Sequence, residues 1–190
     1  MSPFSVSYLM SYGMVIVACC LMSPSLTHAE DTRLMSVGIR AGFSGSSLIG
    51  AEETEYFQQS DVLAIFGLPW EWYGQSGWGI GTRLQVSAGV LRAAGETGFI
   101  GTFIPGIAFG KKDGWFSIEG GGGAALLSNY KFGSQNLGGP FQFVWDIGVR
   151  AAVYRGFGVG YWFQHISDAT IYGDNGRGVD LHMVELTYRY

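Results

Sequence analysis

The sequence predicts an all-β chain, an antiparallel eight-stranded outer-membrane β-barrel closed on itself, with short periplasmic turns and longer extracellular loops. Three observations carry that expectation. A period-two alternation runs almost unbroken after residue 33. Of 190 residues 31 are Gly, 15% are aromatic and only 14% are charged, against about 25% charge in ordinary soluble chains. The connections between alternating segments switch between tight and long. This composition argues against disorder and coiled coil. With 11 Lys+Arg against 15 Asp+Glu, the formal net charge of −4 leaves no basic footprint, so no nucleic acid is expected as a partner.

The first element is an export signal. Residues 1–29 contain no Asp, Glu, Lys or Arg; an apolar core over Tyr8–Met22 is broken by Ser23-Pro24-Ser25, and Thr27-His28-Ala29 precedes Glu30. Small residues at the −3 and −1 positions make Ala29 the expected cleavage site, which divides the chain into a signal peptide (1–29) and a transmembrane barrel domain (30–190). The basic residues usual at the start of a signal are missing. Ile16-Val17-Ala18-Cys19 fits a lipoprotein cleavage site less well, and a retained membrane helix is disfavoured by the short run ending at Pro24. Both cysteines, Cys19 and Cys20, fall in this segment, so a chain starting at Glu30 has neither a disulfide nor a Cys-based metal site.

The strands follow in order. In Leu34–Ser44 one face reads Met35, Val37, Ile39, Ala41, Phe43 and the other Ser36, Gly38, Arg40, Gly42, Ser44. Val62, Ala64, Phe66, Leu68, Trp70 and Trp72 share a face in the second. In Trp78–Arg92, Trp78, Ile80, Leu84, Val86, Ala88 and Val90 oppose Gly79, Gly81, Arg83, Gln85, Ser87 and Gly89. Phe99–Phe109, Trp115–Leu127 and Phe141–Val153 continue the pattern, and Phe157–Ser167 with Val179–Tyr190 completes it. These are about eight strands of roughly ten to fifteen residues, an even number suited to closure.

Tyr73–Gly77, Lys111–Gly114 and Tyr154–Gly156 are tight connections; Gly45–Glu55, Ser128–Gly139 and Asp168–Gly178 are long. That arrangement starts the first strand in the periplasm. Trp70, Trp72, Trp78, Trp115, Tyr188 and Tyr190 stand at strand ends as interfacial girdles. Small polar and Gly residues on the inner face predict a narrow lumen packed with side chains. A soluble lipocalin-like barrel would put its large apolar residues inside; here Arg40, Arg83, Glu119, Asp146 and Arg150 share the face with Gly and Ser, leaving an apolar exterior. Pro105, on the apolar face of the fourth strand, predicts a bulge or weakly paired edge.

Polar residues break the apolar face in one place. Val159, Tyr161 and Phe163 continue into His165 and Ser167, while Asp180 and His182 share their face with Val184, Leu186, Tyr188 and Tyr190. All four would point toward lipid, where ionisable groups are costly and usually functional. The two strands are antiparallel neighbours, so His165, Ser167 and Asp180 meet near the extracellular rim. A hydroxyl needs a base to become a nucleophile, and the base needs an acid to fix its tautomer. The alternative is that these groups sit in the headgroup region, where polar residues cost little; His182 is assigned that interfacial role.

Two stretches carry a family resemblance: Gln135-Asn136-Leu137-Gly138 followed by Phe143 and Ile147-Gly148, and His165-x-Ser167-x-Ala169 followed by Asn175, Gly178 and Asp180. In them the chain resembles the lipid A 3-O-deacylases of the PagL type, eight-stranded outer-membrane esterases with a Ser–His–Glu triad on the lipid-facing exterior. The resemblance implies His165 as general base, Ser167 as nucleophile and Asp180 as orienting acid. It places Asp168, Thr170 and Asn175 at or near the oxyanion hole. Three positions depart from the pattern. The acid is Asp rather than Glu and lies one residue further on; Asp168 stands where Asn is usual, and a carboxylate there repels a developing oxyanion; Thr170 replaces a Gly.

The expected function is hydrolysis of an acyl ester of lipid A through an acyl-enzyme, with release of a fatty acid and no metal or cofactor. The expected partner is lipid A or lipopolysaccharide in the outer leaflet of the outer membrane, with a homodimer left as an option. The rival readings are a structural or adhesive barrel and a degenerate relative that binds lipopolysaccharide without cleaving it.

Overall fold

The computed structural model describes residues 32–45, 54–173 and 178–189; the expected signal peptide, Asn175 and Tyr190 lie outside them. Ten strands are formed: β1 (Arg33–Ser44), β2 (Gln58–Tyr73), β3 (Trp78–Ala93), β4 (Glu96–Lys111), β5 (Phe116–Leu127), β6 (Lys131–Phe132), β7 (Gln135–Asn136), β8 (Phe141–Tyr154), β9 (Phe157–Ser167) and β10 (Val179–Arg189). Eight of them close an antiparallel barrel in the order β1-β10-β9-β8-β5-β4-β3-β2, and β6 with β7 makes a small ribbon in the connection between β5 and β8. Nine register pairs, Ser36↔Arg189 to Ser44↔Leu181, seal β1 to β10. Closure removes the unpaired strand edges that an open sheet would expose to lipid.

The alternation works as expected. Ile39, Val62, Phe103, Ile107, Ile147 and Val184 are exposed on the outer face, and Arg40, Asp61, Gln85, Glu119, Asp146 and Glu185 are buried on the inner one. Trp70, Trp72, Trp115 and Tyr188 are exposed at the end that carries the tight turns, forming one girdle.

Two features differ from the sequence reading, and one settles a choice it left open. The loop end has one tight turn, because β3 and β4 are joined by Ala94 and Gly95 alone, with φ of 50° and 78°. Positive φ at both central residues is the twist-matched hairpin turn, and Gly95 supplies half of it at no steric cost. Of the two alternatives expected at Pro105, the weakly paired edge is the one seen and the bulge is not. Pro105 pairs with Leu84 on one side, and on the other the β4–β5 ladder skips it without changing register between Phe103↔Ala124 and Gly106↔Gly121. The lumen, finally, is polar only in part. Arg40 meets Asp61 and Asp146, and Arg150 meets Glu119 and Glu185. Toward the loop end Leu91, Ile100, Ile104, Val144, Ile166, Leu181 and Met183 form an apolar core with Phe57, Phe132 and Leu137 from the connections. Those connections fold over the barrel, so inner positions beneath them lie away from water and favour apolar side chains.

The connections are tied to one another. Phe57 and Phe132 pack edge to face with centroids 5.4 Å apart. The backbone N–H and the hydroxyl of Ser134 donate to Glu55 and hold its carboxyl below the usual carboxylate range.

Candidate active site

The register of three strands sets the site. Trp145 of β8 lies opposite His165 of β9, and His165 lies opposite Asp180 of β10, so the three stand abreast on the outer face at the loop end. His165 Nδ1 is 2.6 Å from Asp180 Oδ1. With its proton on Nδ1 the imidazole donates to the carboxylate, and Nε2 is left with its lone pair. An outward-facing pair would ordinarily be open to lipid, yet Asp180 is fully buried and His165 is 9% exposed. Two neighbours among the described residues help to cover the imidazole. The Trp145 ring leans over the imidazole, centroids 5.7 Å apart and planes inclined by 32°. Gly178, just before β10, approaches the other edge so closely that a Cβ added to it would lie 2.9 Å from His165 Cε1.

Ser167 is two residues beyond His165 on the same pleated face, partly exposed and opposite Phe143. The structure therefore joins the imidazole and the Asp180 carboxylate directly and sets the Ser167 hydroxyl beside them, without a hydrogen bond between Ser167 and His165. Hydrogen bonds of this kind tighten when substrate is bound. A hydroxyl next to an imidazole whose other nitrogen is held by a carboxylate has the parts needed for nucleophilic acyl transfer.

Asp168 turns inward, as strict alternation requires, and is 3% exposed. Its Oδ1 accepts the Thr170 N–H at 3.0 Å, while its Oδ2 is buried with no hydrogen-bond partner, against Gly138. The turn from Asp168 to Ile171 is closed by Ile171 N–H donating to Asp168 O at 3.1 Å, with φ of 48° at Ala169 and 65° at Thr170. Left-handed conformation at two residues with side chains costs roughly 1–3 kcal/mol each, which explains why Gly fits position 170 more easily. The Thr170 amide is engaged by Asp168 in this conformation.

His182 lies two residues below Asp180 on the outer face. Its Nδ1 is 2.7 Å from the Tyr161 hydroxyl, and its ring stacks on Tyr161 with centroids 6.2 Å apart. It makes no hydrogen bond to His165 or Asp180 among the described residues, and its ring reaches Trp145 only through Phe163, edge to face at 5.6 Å. Periodicity did not single out Trp145 or the close packing of Gly178. An outward-facing Trp reads as one more girdle aromatic, and only the β8–β9 register puts it against the imidazole.

A family model described as lipid A 3-O-deacylase (PagL) matches residues 61–189. Among solved structures the chain is similar to one described as the crystal structure of the outer membrane enzyme PagL, with a TM-score of 0.66 and 19% identity over 82% of this chain and 99% of that one. That likeness supports the closed barrel. A backbone structure of the Yersinia pestis outer membrane protein Ail in a phospholipid bilayer nanodisc gives a TM-score of 0.43 and 12% identity, covering 82% of this chain and 99% of that one. No match is found among curated protein sequences.

Proposed function

The chain belongs to the lipid A 3-O-deacylase (PagL) family, and on that premise we propose that it is an outer-membrane hydrolase that cleaves an acyl ester of lipid A with Ser167, His165 and Asp180. The observation that carries this reading is the 2.6 Å contact between His165 and Asp180 on the lipid-facing side of the barrel wall. A lipid substrate reaches that face laterally, without entering the lumen. Ser167 Oγ attacks the ester carbonyl while His165 Nε2 takes its proton, and Asp180 stabilises the imidazolium that forms. Collapse of the tetrahedral intermediate breaks the C–O bond to the sugar, and His165 returns the proton to the leaving oxygen. Water, activated by the same imidazole, then attacks the acyl-enzyme; a free fatty acid leaves and Ser167 is restored. Removal of residues 1–29 during export and a periplasmic start of β1 would put this site at the outer leaflet.

One observation favours a second reading, a relative that binds lipopolysaccharide without cleaving it. The Thr170 amide is held by Asp168, whose carboxylate follows the nucleophile directly. Mass spectrometry of lipid A from cells with and without the protein separates the two. Loss of one ester-linked acyl chain, abolished in Ser167→Ala at equal barrel abundance, is the expected result. Unchanged lipid A, or cleavage by Ser167→Ala at the normal rate, would overturn the assignment.

A further inference from the structure

The stretch Gln135–Gly138 lies in the connection between β5 and β8, contributes nothing to the reaction steps above, and yet packs against the chain on both sides of the site. Gln135 is fully buried. Its Oε1 accepts two hydrogen bonds from Thr54, from the backbone N–H and from the hydroxyl, each 2.8 Å. With the carbonyl oxygen so engaged, the Nε2 group faces Gly178 and donates to its backbone O at 3.4 Å. Gly178 is the residue whose Cα lies against the imidazole: an added Cβ would stand 2.9 Å from His165 Cε1, 3.0 Å from Ile166 O and 3.4 Å from His165 Nε2. Among the described residues the imidazole thus meets Asp180 at Nδ1, Trp145 across its face and Gly178 along the edge that runs to Nε2. Asp180 and Trp145 are placed by the barrel ladder. Gly178 precedes β10 and has no ladder partner among the described residues, and a buried amide from another connection supplies a restraint.

We infer that Gln135 is a positioning residue for His165, acting through the Gly178 peptide to keep the Nε2 edge of the imidazole aimed at the nucleophile. The inference rests on the proposed role of His165, since a base misplaced by about 1 Å loses roughly a hundredfold in rate. Gln135→Glu keeps an acceptor for Thr54 and replaces the donor to Gly178 O by a carboxylate oxygen that repels it. Gly178→Ala acts at the next link, forcing the imidazole or the Ile166 carbonyl to give way. Thr54→Val removes one of the two bonds on the other side of Gln135 and leaves the Gly178 contact in place.

The test measures kcat and KM on lipid A in detergent, together with the downfield proton resonance of the His165 Nδ1–H held by Asp180. Gln135→Glu and Gly178→Ala are expected to lower kcat by about a hundredfold with KM little changed, and to shift or broaden the resonance. Thr54→Val is expected to match the parent protein in both readouts. Normal kcat and an unmoved resonance in both site variants would overturn the inference. An equal loss in Thr54→Val, or failure of both Gln135→Glu and Gly178→Ala to fold, would also overturn it, by assigning Gln135 to the integrity of the loops. If the parent protein leaves lipid A uncleaved, the proposed function fails, and the resonance still decides whether Gln135 and Gly178 hold the imidazole.

Discussion

Inside the barrel wall Arg40 meets Asp61 at 3.1 Å and Asp146 at 3.6 Å, and Arg150 meets Glu119 at 2.6 Å and Glu185 at 2.8 Å; outside it, His165 meets Asp180. The inner groups tie together strands that are not all ladder neighbours. Arg40 of β1 reaches β8, and Arg150 of β8 reaches β10. Gln59 and Gln85 add neutral donors to Asp61 and Asp146, at 2.8 and 3.2 Å. The fixed positive charges of arginine suit that task, because they persist at every working pH. The outer pair joins two strands already held by their own ladder and adds little to closure. Nε2 of its imidazole has no hydrogen-bond partner among the described residues. Ion pairs within the lumen serve the fold, whereas the His165–Asp180 contact on the lipid face carries the proposed chemistry.

The largest effect should come from the outer pair. Asp180→Asn removes the charge that fixes the tautomer and stabilises the imidazolium, so kcat is expected to fall by about 10⁴-fold while the unfolding midpoint in denaturant stays near that of the parent. A variant that unfolds early and turns over normally would place Asp180 with the lumen network. The inner pair should behave in the opposite way. Arg40→Met leaves Asp61 and Asp146 buried without their cation, and stability is expected to drop by about 3–5 kcal/mol. The surviving folded fraction should keep its kcat, measured at a temperature where the barrel remains closed. Loss of turnover at unchanged stability would mean that Arg40 communicates with the site.

How much of this could be read from the chain follows from what alternation encodes. A period of two assigns each residue to a face, so the outward direction of His165, Ser167 and Asp180 was legible, as was the inward charge of Arg40, Asp146 and Arg150. It does not encode register, which depends on turn geometry and on the fit of neighbouring strands. Trp145 could not be matched to His165 for that reason, and Gln135 could not be matched to Gly178 because their contact crosses from one connection to another. Leu91, Ile100 and Ile104 are large apolar residues on an inner face expected to carry small polar residues and Gly. The reason is the cover of Phe57, Phe132 and Leu137, a tertiary effect with no local pattern.

The smallest expected effect sharpens the comparison, because Asp168 is a buried acid that belongs to neither set. It faces inward, pairs with no cation among the described residues, and follows Ser167 directly. Its Oδ1 is held by the Thr170 N–H, whereas its Oδ2 is buried without a donor beside Gly138. On the adjoining strand Gln142 Oε1 is buried without a donor as well, since its amide nitrogen is committed to Leu137 O at 2.9 Å and Gly139 O at 2.7 Å. A carboxylate here places acceptors where donors are missing and puts negative charge near the position of the developing oxyanion. Asp168→Asn can keep the Thr170 bond through its carbonyl oxygen and present Nδ2–H in place of the orphaned oxygen. Turnover is therefore expected to stay unchanged or to rise by about two- to tenfold, with stability gained by about 1 kcal/mol. Purified variants in detergent, assayed for fatty-acid release and for denaturant midpoint, supply both numbers. A severe loss in Asp168→Asn beside a normal Asp180→Asn would show that the two acids have exchanged roles, with the catalytic carboxylate reaching the site from inside the wall.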